Sequence, residues 1–172
     1  MLNALVQDKI NEQINNEFYS SYSYLAMSAY CEHQQFAGCA KWLRIQGDEE
    51  RAHALKLYDF LTARGGRVVL KQINTPPAEF ASLVDVFEHV LRQEQEVTAQ
   101  IDALYELAFQ QKAFAALVEL EWFIQEQVEE EKSARSILHK FRLVGDDPAS
   151  LLELDRGLGE RTDAEQAGSE AR

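Results

Sequence analysis

The chain is poor in residues that interrupt or cross-link a fold. Its 172 residues hold three prolines and eight glycines. These fall where long helical patterns break, so the chain reads as all-α. The two cysteines, Cys31 and Cys39, have neither a CxxC spacing nor the density of a disulfide scaffold, and are read as reduced thiols. They cannot build a zinc site alone. No stretch approaches the ~18 apolar residues of a membrane span. The opening MLNALVQDKINEQ turns polar and charged too early for a signal peptide, so a cytoplasmic protein with no membrane partner is expected. Basic charge is also scarce. Against 29 acidic residues stand 17 basic ones, for a net charge of -12. That field repels phosphate backbones and attracts cations, which excludes nucleic acid as an expected partner.

What the chain has is apolar content, 46% of residues, enough for one domain with a substantial core. Helical spacing predicts four long helices at about residues 5 to 34, 40 to 64, 82 to 111 and 114 to 144. The first pair is joined by a turn around Phe36, Ala37 and Gly38, the second pair at Gln111, Lys112 and Ala113. Turns this short make each pair antiparallel neighbours. Helix two stops at Gly65-Gly66 and helix four at Gly145, with Pro148 beyond it. Residues 65 to 81, with Pro76-Pro77, span about 17 residues, long enough to run the length of a bundle. The expected architecture is therefore a four-helix bundle with one long crossover between helices two and three. A short fifth helix follows at about residues 149 to 158. The domain is expected over residues 1 to 160, and the polar remainder, 161 to 172, as a disordered tail.

A bundle helix buries every third or fourth residue, so a carboxylate in that row needs a reason. Helix three gives Leu83, Phe87, Val90, Glu94, Val97, Ile101, Leu104 and Ala108, apolar except at Glu94. Helix four gives Leu120, Phe123, Gln127, Glu130, Ala134, Ile137, Phe141 and Val144. Helix two gives Leu43, Gln46, Glu50, His53, Leu57 and Phe60, and helix one Ile10, Ile14, Glu17, Ser21 and Tyr24. No Lys or Arg shares these rows to pair with Glu17, Glu50, Glu94 and Glu130. Unpaired buried carboxylates cost several kcal/mol or become protonated, so a multivalent cation is the natural partner. Four carboxylates and one imidazole, with no thiolate, suit two irons better than zinc or calcium. Glu50, one turn before His53 and facing the same side, is the expected common ligand. Glu-x-x-His alone is a weak signal; four helices each contributing an interior polar group is a strong one. A plain scaffold bundle with a buried polar network is the bland alternative, but such networks normally use neutral amides and hydroxyls.

With those residues in place, the sequence resembles the ferritin family, and its bacterial non-haem branch in particular, over about residues 1 to 160. The motifs are Glu17, Glu50-Arg51-Ala52-His53, Glu94 and Gln127-Val128-Glu129-Glu130. The resemblance implies a ferroxidase centre in which Glu17, Glu50 and His53 hold one iron and Glu50, Glu94 and Glu130 the other. Gln127 orients a ligand or water, and Tyr24 is placed to supply an electron. A third iron site is implied at Glu49, Glu126, Glu129 and Glu130. The implied activity is oxidation of Fe(II) by O2 or peroxide and storage of hydrated ferric oxide in a homo-oligomeric cage of 24 subunits.

Departures from the family pattern limit what carries over. The second Glu-x-x-His motif of bacterioferritin is here Gln127-x-x-Glu130, and its haem-binding methionine falls on Ala52, so no haem is expected. The channel carboxylates of animal ferritins fall on Leu117 and Leu120, and two nucleation carboxylates on Ala52 and Leu55. Nucleation would then rely on Glu49, Glu126 and Glu129. A di-iron oxidase, oxygenase or peroxidase of the same fold, without storage, is the alternative. Phe18, Tyr19, Tyr22, Trp42 and Tyr58 read as packing residues, Trp122 as a shield beside the centre, and His33, His89 and His139 as surface or hydrogen-bonded histidines.

Overall fold

The computed structural model describes residues 2–161. It contains five helices and, among the described residues, no strand: α1 (Ala4–His33), α2 (Ala37–Ala63), α3 (Leu83–Gln110), α4 (Phe114–Val144) and α5 (Pro148–Gly159). Among the described residues no helix is long and apolar enough to cross a membrane. Local chemistry sets most of the boundaries. Asn3 accepts from Leu5 N at the start of α1, and Asp147 accepts from Ser150 N ahead of Pro148 at the start of α5. Ser82 Oγ accepts from Asp85 N, while Asp85 Oδ2 accepts from Ala81 N, a reciprocal cap that satisfies one orphan donor in the first turn of α3. At the end of α2, Gly65 takes φ 73 and Gly66 N donates to Leu61 O at 2.9 Å; the left-handed conformation is open to glycine without penalty.

One boundary departs from the sequence expectation. α2 begins at Ala37, three residues early, and Gly38 lies inside its first turn. The reversal is carried instead by Gln35, an ordinary residue at φ 65. Gly38 is required for a different reason. A Cβ there would stand 1.7 Å from the backbone oxygen of Asp155, so α5 can lie on the start of α2 only because position 38 has no side chain. Asp155 Oδ1 also accepts from Cys39 N at 2.7 Å, and Lys41 Nζ donates to Gly159 O at 2.9 Å.

α1 packs chiefly on α2 and α3 on α4, with α1 against α3 joining the pairs and α5 lying mainly on α2. The crossover, residues 64–82, is pinned along α1. Arg67 N donates to Gln7 Oε1 and Val69 N to Asn11 Oδ1; at the far end Tyr30 Oη donates to Phe80 O. From Gln7 to Tyr30 the helical rise covers roughly 35 Å, so the segment travels the bundle as its length predicted.

The core is divided. One cluster holds Met27, Leu43, Phe87, Val90, Ile137 and Phe141, roofed by Leu151, Leu154 and Leu158 of α5. The other holds Val6, Ile10, Ile14, Leu57, Ile101, Leu104, Leu120 and Phe123. Between them runs a layer of buried polar side chains. Both cysteines are free and buried, as the composition implied.

Candidate metal centre

The polar layer is built by the four rows meeting at mid-bundle. Glu17, Glu50 and Glu94 are fully enclosed, and His53, Gln127 and Glu130 are buried. One ligand atom from each of Glu17, Glu50 and His53 lies within 4.8 Å of the others. The i, i+3 spacing on α2 explains the pair from that helix, and Glu17 arrives from the neighbouring α1. His53 Nδ1 stands 3.3 Å from Glu50 Oε2. The ring is not a cation balancing that carboxylate: burial, reinforced by Lys56, pushes its pKa down to about 4. It is a neutral imidazole with a lone pair to offer. Trp122 and Phe123 meet it edge-on at 5.3 and 6.0 Å, fixing the ring, and the shielding expected of Trp122 is present.

The carboxylates are held in an environment that resists their charge. Glu17 donates nothing and accepts one bond, from Gln13 Nε2 at 2.8 Å. Its other oxygen and both oxygens of Glu50 receive no donor from the protein. Burial raises the Glu17 pKa to about 7 and raises Glu50 well above its ordinary value, with Glu94 and Glu17 adding repulsion to Glu50. Without a cation, the adjacent Glu17 and Glu50 carboxyls relieve themselves only by sharing a proton. With one, a carboxylate oxygen from each of Glu17 and Glu50 and an imidazole nitrogen of His53 can reach it. That donor set fits a divalent metal, with oxygen and nitrogen ligands and no sulfur.

Glu94 and Glu130 lie beside this group but are engaged differently. Glu94 accepts a short hydrogen bond from Tyr24 Oη through one oxygen and from Gln127 Nε2 at 3.2 Å through the other. Burial still raises its pKa. Tyr24 is a neutral phenol, its pKa pushed well up by burial and then by the surrounding acids. Glu130 Oε2 accepts from Gln46 Nε2 at 2.9 Å, and burial followed by repulsion from Glu94, Glu49 and Glu126 raises its pKa well above the usual range. The tight three-residue group therefore excludes Glu94, both of whose oxygens accept from protein donors, and Glu130, one of whose oxygens does.

The remaining predicted carboxylates line a cavity of about 730 Å³ next to Glu130. Glu49 is buried, Glu126 half-buried and Glu129 exposed, the last paired with Lys132 at 3.0 Å. Three contributors, Gln13, Thr98 and Arg161, and the partner of a fourth, Gln46, escaped the sequence reading. Gln13 sits one turn before Glu17 on the same face, a spacing that could have exposed it. Gln46 was placed in the core row without a partner. The Thr98 hydroxyl lies 3.0 Å from Glu94 O and 2.8 Å from Glu131 Oε1. Arg161, assigned to a tail, is placed: its Nη2 stands 2.8 Å from each oxygen of Glu49, and its Nη1 donates to Gln46 Oε1. The absence of a cation from the four helical rows holds, but one reaches the layer from beyond α5. The rest of the expected tail, 162–172, lies outside the described residues.

Comparison with known proteins falls on the same helices. A ferritin-like domain matches residues 7–144. A bacterial non-heme ferritin of Staphylococcus aureus strain USA300 is 35% identical over 94% of this chain and 98% of its own. The bacterial non-heme ferritin of Staphylococcus saprophyticus is 38% identical, covering 94% and 97%. Among solved structures, an open pore ferritin from the hyperthermophilic archaeon Archaeoglobus fulgidus superposes with a TM-score of 0.93 at 43% identity, covering 94% of this chain and all of that one. A domain match spanning four helices, relatives of nearly equal length and a carboxylate layer where the bundle halves meet all agree: this chain belongs to the ferritin family.

Proposed function

We propose that this protein is an iron-storage subunit with ferroxidase activity, oxidising Fe(II) at a di-iron centre within each chain. One observation carries the reading. Glu17, Glu50 and His53 converge in a sealed layer, with three carboxylate oxygens that no protein donor satisfies. A structural network would have filled those lone pairs. Glu17, Glu50 and His53 hold one iron. Glu50, Glu94 and Glu130 hold the second, Glu94 and Glu130 exchanging their protein donors for the metal as it enters. Two-metal sites typically separate their ions by roughly 3.5 to 4 Å, a distance that a shared Glu50 sets.

In the reaction each of two Fe(II) ions gives up one electron. Dioxygen takes both, with two protons, and leaves as hydrogen peroxide. Carboxylate ligation favours Fe(III) over Fe(II) and so supplies driving force. Gln127 holds Glu94 in place until the metal enters. Tyr24, hydrogen-bonded to Glu94 in the metal-free layer, stands where the family resemblance places a tyrosine able to supply an electron. Ferric ions then hydrolyse to hydrated oxide, released towards a third site formed by Glu49, Glu126, Glu129 and Glu130.

Storage needs an enclosure that one bundle cannot make. Exposed Phe109, Phe114, Val118 and Leu143, each at least 66% accessible in the single chain, support association with further copies, and the family resemblance implies a cage of 24 subunits. No residue offers haem a sulfur ligand at position 52, which is Ala. The protein is expected to act in the cytoplasm without haem.

The test is an anaerobic Fe(II) titration followed by air, with oxygen uptake and near-ultraviolet absorbance recorded for the native chain and for Glu50→Ala and Glu94→Ala. Two or three rapidly oxidised irons per chain, lost in both variants, support the reading. Oxidation that does not saturate, or that the variants leave intact, sinks it. An iron-filled particle of cage size then tests storage separately.

A further inference from the structure

Two cations line the cavity beside Glu130. Lys132 pairs with the exposed Glu129. Arg161 does not. Its Nη2 contacts both oxygens of the buried Glu49 at 2.8 Å, its Nη1 donates to Gln46, and the guanidinium lies over the Trp42 ring at 5.4 Å from the centroid. We propose that Arg161 is a tethered counter-cation that occupies the acidic vestibule over the metal centre and must leave Glu49 before a metal ion can bind there.

This rests on the reading above, in which Glu49 and its neighbours take a third ion, and it adds what controls that step. The guanidinium gives Glu49 a charge-assisted partner in the absence of metal. It is also replaceable. Its side chain is 20% exposed, and a partly solvated ion pair is held only modestly. It is the second residue beyond α5, so it can swing out while the helix stays fixed by Asp155 on Cys39 N and by Lys41 on Gly159 O. The tether keeps its local concentration high, and every incoming ion competes with it.

The same guanidinium reaches the centre indirectly. By holding Gln46 Oε1 it turns Gln46 Nε2 onto Glu130, which accepts at 2.9 Å. Departure of Arg161 removes that orienting contact and loosens the donor that keeps Glu130 from a metal. Arg161 is thus a positioning residue coupling the vestibule to the di-metal layer.

Calorimetric titration of the assembled, metal-free protein with Zn(II), which cannot be oxidised, tests this. The native chain should show two tight ions and a weaker third. Arg161→Ala should bind the third about tenfold more tightly, a coupling of ordinary size, while Arg161→Lys, which keeps the charge, should fall between them. Equal third-step affinities in native and Arg161→Ala chains overturn the proposal. Tight binding of no ion by any chain overturns the metal-centre reading itself, and this proposal with it. A native crystal soaked in Zn(II) gives an independent check should the alanine variant disturb α5: an ion on Glu49 with the guanidinium turned away is the expected result, and an ion there with Arg161 still in contact is the contrary one.

Discussion

The apolar ends of the bundle and the layer between them are made from the same four helices, yet they answer opposite physical demands. At the ends every interior position finds a partner: Phe87 stacks on Phe141 at 4.8 Å between ring centroids and tilts against Trp42 at 5.7 Å. In the middle, Glu50 is as deeply buried as Phe87, and neither of its oxygens accepts a hydrogen bond. The ends stabilise the fold by removing apolar surface from water. The layer consumes part of that stability to keep acids dry, deprived of protein cations at Glu50 and ready for metal. Function has been placed where the sequence breaks its own packing rule.

Exchanging the character of one layer position gives the largest test of that contrast. Glu50→Leu should lower the initial rate of Fe(II) oxidation by about a hundredfold or more, since even residues behind metal ligands change activity by about 10- to 100-fold. The same change should raise the stability of the metal-free protein, because replacing buried charge with matched apolar volume is often stabilising by about 1 to 4 kcal/mol. Oxygen uptake and a denaturant melt read the two effects. A metal-free Glu50→Leu chain less stable than the native one would mean that Glu50 serves the fold.

The converse substitution lies in the α5-side cluster. Phe87→Ala should cost about 3 to 5 kcal/mol, the range for emptying a packed aromatic site. Oxidation per folded chain should stay within a few-fold of native. If the rate collapsed while the melt barely moved, the division between stabilising ends and functional middle would be wrong.

Metal and pH sharpen the comparison further. At a free concentration of one hundred times Kd, a metal that binds only the folded chain adds about 2.7 kcal/mol. The gain should depend on pH through the layer alone. The folded pKa of Glu17 is raised from 4.5 to about 7, so the folded chain holds more protons than the unfolded one across that window. Stability of the metal-free protein is therefore greatest below about pH 4.5 on this account and falls as pH rises through 7. Glu50, Glu94 and Glu130, also raised, act in the same direction. His53 opposes them: its folded pKa is depressed from 6.5 to about 4, so its contribution grows between those values. Four acids outweigh one imidazole. Thermal melts from pH 5 to 7 should show metal-free protein losing ground to metal-loaded protein; parallel curves would mean that metal does not replace protons on these acids.

Why the layer was legible and its surroundings were not follows from how each residue reaches it. Glu94 interrupts a row that is otherwise apolar, and Glu17, Glu50, His53, Gln127 and Glu130 stand in polar breaks of the other three rows, so periodicity exposes them. Which of them converge was not legible from spacing, and only the family resemblance grouped Glu17, Glu50 and His53, the three that the structure brings together. Glu94 and Glu130 belong to the same layer but are held by Tyr24, Gln127 and Gln46, contacts made between helices and invisible to spacing within one. Arg161 sits in a stretch whose composition reads as solvated, and only the path of α5 brings it to Glu49. The crossover was legible from its length, since no shorter route joins the far ends of two long helices. Gly38 was seen and misread, because a glycine needed for close approach looks in sequence like a glycine needed for a turn.

That glycine supplies the smallest and most selective test. Gly38→Ala places a methyl 1.7 Å from Asp155 O, a clash with backbone that a side-chain rotation cannot relieve, so α5 must lift from the start of α2. Overpacking of this kind typically costs about 1 to 3 kcal/mol, here with strain on the Asp155 contact to Cys39 N. The carboxylate layer lies further along α2 and should be untouched, so the two tight metal sites should keep their native affinity. The vestibule should not, because α5 carries Arg161. A third Zn(II) step that strengthens in Gly38→Ala as it does in Arg161→Ala would show that the roof helix sets the electrostatics of the layer below it. A variant destabilised by the expected amount with an unchanged third step would confine α5 to packing, and leave the division between stabilising ends and functional middle intact.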